Sequence, residues 1–275
     1  MKPTKILVPT DFSLCATNAL RAAIYLGRRT GASLTIFHAI ESAVYNEAAE
    51  AFFDADRDDK EKAAAAFEKL QKEMPELKDV TYETVTNYGS VPGEVASLAG
   101  SINADLVVMG TMGASGINEV LIGSNAYNVM KSLEIPVLVV PNNYEIDEIT
   151  SIVLAGDYKP IDPALLNPVK MMAELKGADI HIVHIADDQH LGEEEMMEAR
   201  KINRHLKDYH HHYHLIENDD IETGLQDYCD KNHIDLLAMI PRKHNLFDRI
   251  FDGGETKNML FHAKIPLLAI PENYH

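Results

Sequence analysis

Residues 107–141 read VVMGTMGASGINEVLIGSNAYNVMKSLEIPVLVVP, and this stretch decides the fold class of the chain. The apolar runs at its two ends, 106–109 and 137–140, are typical of strands that are buried on both faces. Between them lie a glycine-bearing loop and a helical stretch that opens at a Gly-Ser pair. Strands that alternate with helices in this way predict an α/β fold with a parallel sheet and helices on both faces.

Three of the four glycines in this stretch have a distinctive spacing. Gly110, Gly113 and Gly123 form, with Ser124, the pattern G-x2-G-x9-G-S. Glycine lets the backbone approach a bulky anion closely, and a helix N-terminus offers unpaired N–H groups to phosphate oxygens. The pattern therefore predicts a nucleotide site, although a strand–helix turn that merely needs glycines would look similar. The loop has no lysine of the kind that a P-loop uses, so we expect simple binding or slow turnover.

The two halves of the 275-residue chain repeat each other. KILVPTDFS at 5–13 recurs as SIVLAGDYK at an offset of 146, and ADLV at 104–107 recurs as IDLL at an offset of 130. The second half therefore lacks 16 residues where the first has a segment of good helix propensity at 46–74. We predict two domains, 1–143 and 149–275, with a linker around 142–150.

The strands of each copy place polar and small residues at one edge of the sheet. Further strands are predicted at 6–8 and 34–37, and a half-polar one at 82–86 belongs near the sheet edge. Ligands of such sheets bind at the carboxyl ends of the strands, where the strand order reverses. Asp11, His38 and Gly110 come at those ends, so we expect them to converge on one site.

Composition excludes several classes of partner. A net charge of −18 argues against binding to a nucleic-acid backbone or an anionic membrane, because both would repel the chain. The two cysteines, one in each half, imply no disulfide framework. No apolar run reaches the length of about 18 residues that a membrane helix needs, and the first run is too short for a signal peptide. We expect a soluble protein of the cytoplasm.

Several motifs together resemble the universal stress protein family. They are VPTDFS at 8–13, a histidine at the end of the second strand, VVMGTMG followed by GSNAYNVM, and the closing IPVLVVP. The repeat is similar to the tandem, two-domain form of that family. The resemblance implies two Rossmann-like domains of the adenine nucleotide alpha hydrolase type, each with a five-stranded parallel sheet, packed as an intramolecular pseudo-dimer. It also implies ATP binding, because members with this glycine pattern bind ATP and members without it do not.

The resemblance assigns roles to individual residues. Asp11 and the backbone of Ala39 would hold the adenine end, although Asp11 could also be only a helix cap. Gly110 and Gly113 would line the path of the ribose and phosphates. The helix start would receive the phosphates at Gly123, Ser124 and Asn125. No catalytic residue and no protein ligand of a metal is predicted, but a divalent ion such as Mg²⁺ on the phosphates is expected because the chain offers little positive charge.

The second half departs from this pattern. At the matching positions, Gly110 becomes Ile240, Gly113 becomes Lys243, and Asn125 becomes Glu255. A β-branched residue, a long cation and a carboxylate cannot reproduce a phosphate cradle, even though Gly253 and Asp157 persist. We predict that this half does not bind ATP in the manner of the family.

Twelve of the 13 histidines lie in the second half, and several cluster at 210–214. On a strand, His210, His212 and His214 would share one face, which could gather a transition metal or form a pH-responsive surface.

We expect a nucleotide-dependent regulator or protector in stress, acting through protein partners and able to pair as a homodimer. The alternatives are a slow ATP hydrolase and a non-nucleotide interaction module that uses the histidines.

Overall fold

The structure is a computed structural model that describes residues 3–41, 49–112, 122–142, 144, 146, 149–156, 160–186, 192–218, 221–240 and 265–274. The strands are β1 (Lys5–Pro9), β2 (Ser33–Ile40), β3 (Tyr82–Tyr88), β4 (Leu106–Gly110), β5 (Val137–Val140), β6 (Ser151–Ala155), β7 (Asp179–Ala186), β8 (His211–Glu217), β9 (Leu236–Met239) and β10 (Leu267–Ala269). The helices are α1 (Leu14–Thr30), α2 (Ala49–Glu73), α3 (Val91–Ile102), α4 (Ser124–Ser132), α5 (Asn167–Glu174), α6 (Glu193–His205) and α7 (Ile221–Lys231). None of the helices in these ranges combines the length and apolar character that a membrane crossing requires.

The strands form one sheet in the order β3-β2-β1-β4-β5-β10-β9-β6-β7-β8. Each half contributes five parallel strands in the same order, which confirms the predicted fold class and the edge position of β3. The halves meet at β5 and β10, which pair antiparallel with Val139 opposite Leu267. The repeat in the sequence is therefore a repeat of one α/β unit, and the two units share a continuous sheet.

One repeated aspartate fixes the register in each unit. Asp105 Oδ2 accepts hydrogen bonds from Thr4 N at 2.7 Å, Thr4 Oγ1 at 2.8 Å and Lys5 N at 3.0 Å. In the second unit Asp235 Oδ2 accepts the equivalent three bonds from residues 150–151. A carboxylate that accepts several N–H and O–H groups is a strong, charge-assisted anchor. These bonds hold the start of β4 against the start of β1, and the start of β9 against the start of β6.

Helices cover both faces of the sheet. One buried cluster joins it to α1, α2, α5 and α6, with Leu20, Phe67 and Ile202 among its members. The other joins the opposite face to α3, α4 and α7, with Val129 and Leu225 among its members. Helix α2 has 25 residues and α6 has 13, so the length difference between the repeats falls on this helix, as the offsets predict.

The tyrosine that ends each repeat contacts the other unit. Tyr144 donates its hydroxyl to the carbonyl oxygen of Asp235 at 2.9 Å. Burial, and then the nearby Asp105 carboxylate, raise the pKa of Tyr274 above its usual value. The contacts are reciprocal, because each tyrosine reaches the register-fixing aspartate of the opposite repeat. Beyond the paired strands, they tie the two units together.

Candidate functional site

A cleft opens at the carboxyl ends of β1, β2 and β4, beside the start of α4. This is the point where the strand order reverses about β1, as expected for ligand sites of parallel α/β sheets. Six of the seven residues in the predicted nucleotide set line this one cleft. They are Asp11, Ala39, Gly110, Gly123, Ser124 and Asn125. Gly113 lies outside the described residues.

A histidine sets the shape of the cleft floor in both repeats. Nδ1 of His38 lies 2.8 Å from the carbonyl oxygen of Thr10, and His184 makes the matching contact to Gly156 at 2.9 Å. Because a carbonyl oxygen only accepts, Nδ1 carries the proton in this bond. His38 therefore positions the backbone that leads into Asp11.

Asp11 stands at the exposed rim of the cleft. Its Oδ1 accepts a hydrogen bond from Ser13 N at 3.0 Å, just before Ser13 caps α1. Between them Phe12 has a φ of 63°, and its ring packs against the rings of His38 at 4.8 Å and Phe67 at 5.0 Å. The aromatic contacts anchor this left-handed residue, so the carboxylate of Asp11 projects from a fixed turn.

Both glycines of the cleft that the structure describes lie against atoms of neighbouring segments, and the contact is closest at Gly110. A Cβ on Gly110 would lie 2.7 Å from Sγ of Cys15 and 3.1 Å from its backbone carbonyl group. A Cβ on Gly123 would lie 3.2 Å from the carbonyl oxygen of Thr111. Gly110 thus lets the first turn of α1 lie against the end of β4. Sequence reasoning missed this cause, because nothing in the pattern links residue 15 to residue 110.

The start of α4 lacks a side-chain cap. Gly123 is its N-cap residue, with φ −66° and ψ 158°, and donates its own N–H to Thr111 O at 2.6 Å. A glycine has no side chain to accept from the first-turn N–H groups of the helix, and Ser124 and Asn125 of that turn line the cleft. By contrast Ser13 Oγ accepts from Ala16 N at 3.2 Å at the start of α1. The cleft therefore meets an open helix terminus.

The cleft has little positive charge of its own. Among the described residues that line it, Asp11 is the charged side chain and neither lysine nor arginine occurs. Other lining residues were missing from the sequence prediction, among them Val91, Thr111 and Met112. Val91 begins α3 next to a proline at the helix start, a signal that could have placed it near the carboxyl end of β3. Attraction for an anion must come from backbone N–H groups, the helix dipole or a bound cation.

The second repeat builds the matching region differently. Ile240 occupies the position of Gly110, and Ile161 occupies that of Cys15. Both isoleucines are partly buried against the core, so the close approach of Cys15 to Gly110 is not reproduced. The backbone N–H of Ile161 instead donates to the buried Glu198 at 3.1 Å. The remaining matching positions lie outside the described residues: Asp157, Lys243, Gly253, Gly254 and Glu255.

The histidine run lies only partly where it was expected. β8 begins at His211, and His210 precedes it. His212 and His214 share a face and meet His181 of β7 there. Within the described ranges, no group of three histidine, cysteine, aspartate or glutamate side chains has the geometry to hold a metal ion. A metal site at His210, His212 and His214 is thus not supported by the arrangement of these side chains.

Comparison with known sequences identifies relatives. The profile of the universal stress protein family matches residues 3–141. The universal stress protein YxiE of Bacillus subtilis is 31% identical over 144 residues, which are 50% of this chain and 97% of that protein. A universal stress protein of Methanocaldococcus jannaschii is 33% identical over 138 residues, 50% of this chain and 81% of that protein.

Comparison with solved structures extends the likeness to the full length. A universal stress protein from Archaeoglobus fulgidus superimposes with a TM-score of 0.73 at 15% identity, covering 99% of this chain and 97% of that one. At this identity the likeness concerns the fold, which is shared across both repeats. The family match covers half of the sequence, including every described residue of the cleft. The chain belongs to the universal stress protein family.

Proposed function

We propose that the first repeat binds ATP or a related adenine nucleotide in the cleft, and that the protein acts as a nucleotide-dependent regulator or protector in the stress response. The observation that carries this proposal is the convergence of six residues of the nucleotide pattern on one cleft that faces the uncapped start of α4. The pattern and the cleft are independent, because the pattern comes from spacing along the chain and the cleft from tertiary packing.

The residues present fit a nucleotide with its phosphates at α4. The N–H groups of Ser124 and Asn125 would hold the phosphates, and the helix dipole adds about 0.3–1 kcal/mol for an anion at this end. Asp11 and the backbone of Ala39 would hold the adenine end, at the rim formed by β1 and β2. A divalent ion such as Mg²⁺ would neutralise phosphate charge, which the described lining residues do not do.

We also propose that the units at 1–143 and 149–275 form an intramolecular pseudo-dimer with one nucleotide site. The protein is proposed to act in the cytoplasm. The antiparallel pairing of β5 with β10 and the reciprocal tyrosine contacts support this arrangement. Ile240 occupies the position in the second repeat that Gly110 occupies in the first, which supports a second repeat that does not bind nucleotide. Protein partners, and pairing of the whole chain into a homodimer, are further parts of the proposal.

The direct test is the small molecule that purified protein releases on denaturation. We expect mass spectrometry to find ATP or ADP at about one equivalent per chain, and Mg-ATP to raise the melting temperature of protein stripped of nucleotide. Absence of both effects would overturn the proposal and make the glycine loop purely structural. Incubation of the stripped protein with Mg-ATP, followed by quantification of ADP, separates simple binding from slow hydrolysis.

A substitution at Asn125 should separate binding from stability. Asn125→Asp puts a carboxylate on the exposed first turn of α4, where the dipole favours it, so the free protein should keep its stability. Two like charges about 4 Å apart repel by roughly 1–4 kcal/mol near a protein surface, so ATP affinity should fall about tenfold or more. Isothermal titration calorimetry measures the affinity, and thermal unfolding of the free protein measures stability.

The matched control is Asn128→Asp, which adds the same charge one turn further along α4. Asn128 is exposed and does not line the cleft, so this variant should change the affinity much less. Equal losses in both variants would mean that general charge repulsion, and not a phosphate at the helix start, sets the effect.

A further inference from the structure

Three imidazoles lie side by side on the outermost two strands of the second repeat. His181 is opposite His212 in the register of β7 and β8, and Val183 is opposite His214, so the three rings share one face. The ring centroids of His181 and His214 are 5.4 Å apart and nearly parallel, at 16°. The centroid of the His212 ring lies 6.1 Å from that of His181 and 6.4 Å from that of His214. We call these three residues the imidazole cluster.

Helix α7 covers His181 and His214 of the imidazole cluster, whereas His212 is exposed. The hydroxyl of Tyr228 lies 2.7 Å from Nδ1 of His181, and its ring centroid lies 5.0 Å from that of His214. Leu225 and Cys229, also on α7, are buried in the same core as Val183. Nε2 of His214 is buried and has no hydrogen-bond partner among the described residues. A proton added at this nitrogen would therefore create a charge with neither water nor an acceptor beside it.

The surroundings of the cluster favour neutral rings. Burial, followed by His214 and His212, lowers the pKa of His181, and only the exposed Asp179 on the same strand acts in the opposite direction. Burial, followed by His212, lowers the pKa of His214. From β6 the residue opposite His181 is Val153, which carries no charge.

The described side chains of α7, from Thr223 to Lys231, bring no compensating charge to its buried side. Burial, and then Cys229, raise the pKa of Tyr228 to about 12. Burial, and then Asp230, raise the pKa of Cys229 to about 12, so both groups stay neutral between pH 5 and pH 8. Asp227 and Asp230 themselves are on the exposed side of the helix. The protonation state of the imidazoles therefore sets the charge between α7 and the sheet in this pH range.

We propose that the imidazole cluster is a proton-sensitive latch, which holds α7 on the sheet while His181 and His214 are neutral and loosens it when they take up protons. In the unfolded or opened segment these imidazoles bind protons near the ordinary histidine pKa of about 6.5, whereas His181 and His214 of the closed cluster bind them only at lower pH. Closure is therefore complete above pH 6.5 and weakens as the pH falls through that value toward the lower pKa of the closed state. Within this window each such imidazole changes the opening constant by up to about tenfold per pH unit.

Hydrogen exchange of the whole protein tests the latch locally. We expect the opening constant of amides in Ile221–Lys231, corrected for intrinsic exchange, to rise several-fold between pH 7.5 and pH 5.5. Amides in the middle of α1, on the first repeat, should show no such rise. A paired variant, His181→Gln with His214→Leu, should flatten the pH dependence of α7, because it removes two proton acceptors while glutamine can still bond Tyr228. His205→Gln, on the exposed surface of α6, is the control and should leave it unchanged.

Two results would overturn the latch. One is an equal pH dependence of α7 in the wild type and the paired variant. The other is stabilisation of α7 by zinc chloride alone at pH 7.5 in the wild type but not in the variant, which would make the cluster a metal site. If the paired variant does not fold, nuclear magnetic resonance titration of the wild-type imidazoles decides the question: pKa values of His181 and His214 below 6.5 support the latch, and ordinary values refute it.

Discussion

Replacement of Gly110 by alanine should destabilise the protein by about 1–3 kcal/mol, the usual cost of forcing an extra group into a packed interior. The new Cβ would lie 2.7 Å from Sγ of Cys15 and 3.1 Å from the backbone of the same residue. Because the close contact includes the backbone of α1, the side chain cannot resolve it by changing rotamer alone. Urea unfolding, with the free energy of unfolding extrapolated to water, measures the loss.

A double-mutant cycle identifies the contact responsible. Cys15→Ala removes the nearer atom, so the free-energy cost of Gly110→Ala should be smaller in a Cys15→Ala background, with an interaction energy of about 0.5 kcal/mol or more. Strict additivity of the two single changes would rule out Cys15 as the partner. Nucleotide affinity should be measured on the folded fraction, because loss of ATP binding in a Gly110 variant can reflect displacement of α1 and not loss of a ligand contact.

Truncation of the register-fixing aspartates should have an effect of similar size in both repeats. Asp105→Ala removes the acceptor of three hydrogen bonds from Thr4 and Lys5, and Asp235→Ala removes the equivalent acceptor in the second repeat. Hydrogen bonds to charged groups contribute about 1.5–3 kcal/mol each when buried, but water can reach these donors. We therefore expect each variant to lose about 2 kcal/mol in urea unfolding.

Two readouts distinguish this anchor from a general loss of surface charge. Asp58→Ala, which removes an exposed carboxylate that pairs with Lys62 on α2, should cost less than about 1 kcal/mol. Asp105→Ala should also lower the pKa of Tyr274, because the Asp105 carboxylate contributes to raising it, although burial keeps part of the shift. A loss no larger than that of the Asp58 variant would show that the aspartates do not hold the register.

Much of the fold and of the cleft could be predicted because the signals are local and repeated. The apolar runs placed the core of β1, β2, β4 and β5, and the half-polar run placed β3 at a sheet edge. The offset between repeats located the shorter helix. The rule that ligands bind at the carboxyl ends of parallel strands brought Asp11, His38 and Gly110 to one cleft. Each of these inferences needs only periodicity, spacing and the geometry of a parallel sheet.

The histidines show what such local sequence signals cannot predict. Alternation along the strand put His212 and His214 on one face, which is correct, but it also included His210, which precedes β8. The third member of the cluster is His181, about 30 residues earlier in the chain, and α7 covers His181 and His214. The sequence predicts a histidine face that could be exposed, but α7 covers part of this face in the folded chain. This burial changes the pH at which the imidazoles are expected to take up protons.

The sequence by itself determined the repeated α/β unit, the order of elements within it and the edge of the sheet at which a ligand would bind, because these follow from residue periodicity and from chain connectivity. Only the tertiary structure decided that β5 pairs with β10 to make one sheet, that Gly110 makes room for Cys15 and that α7 closes over His181 and His214. Those three facts depend on contacts between residues far apart in the chain. Such contacts arise from hydrogen bonding between strand edges and from close packing of side chains. Neither produces a spacing pattern in the amino-acid sequence that could predict it.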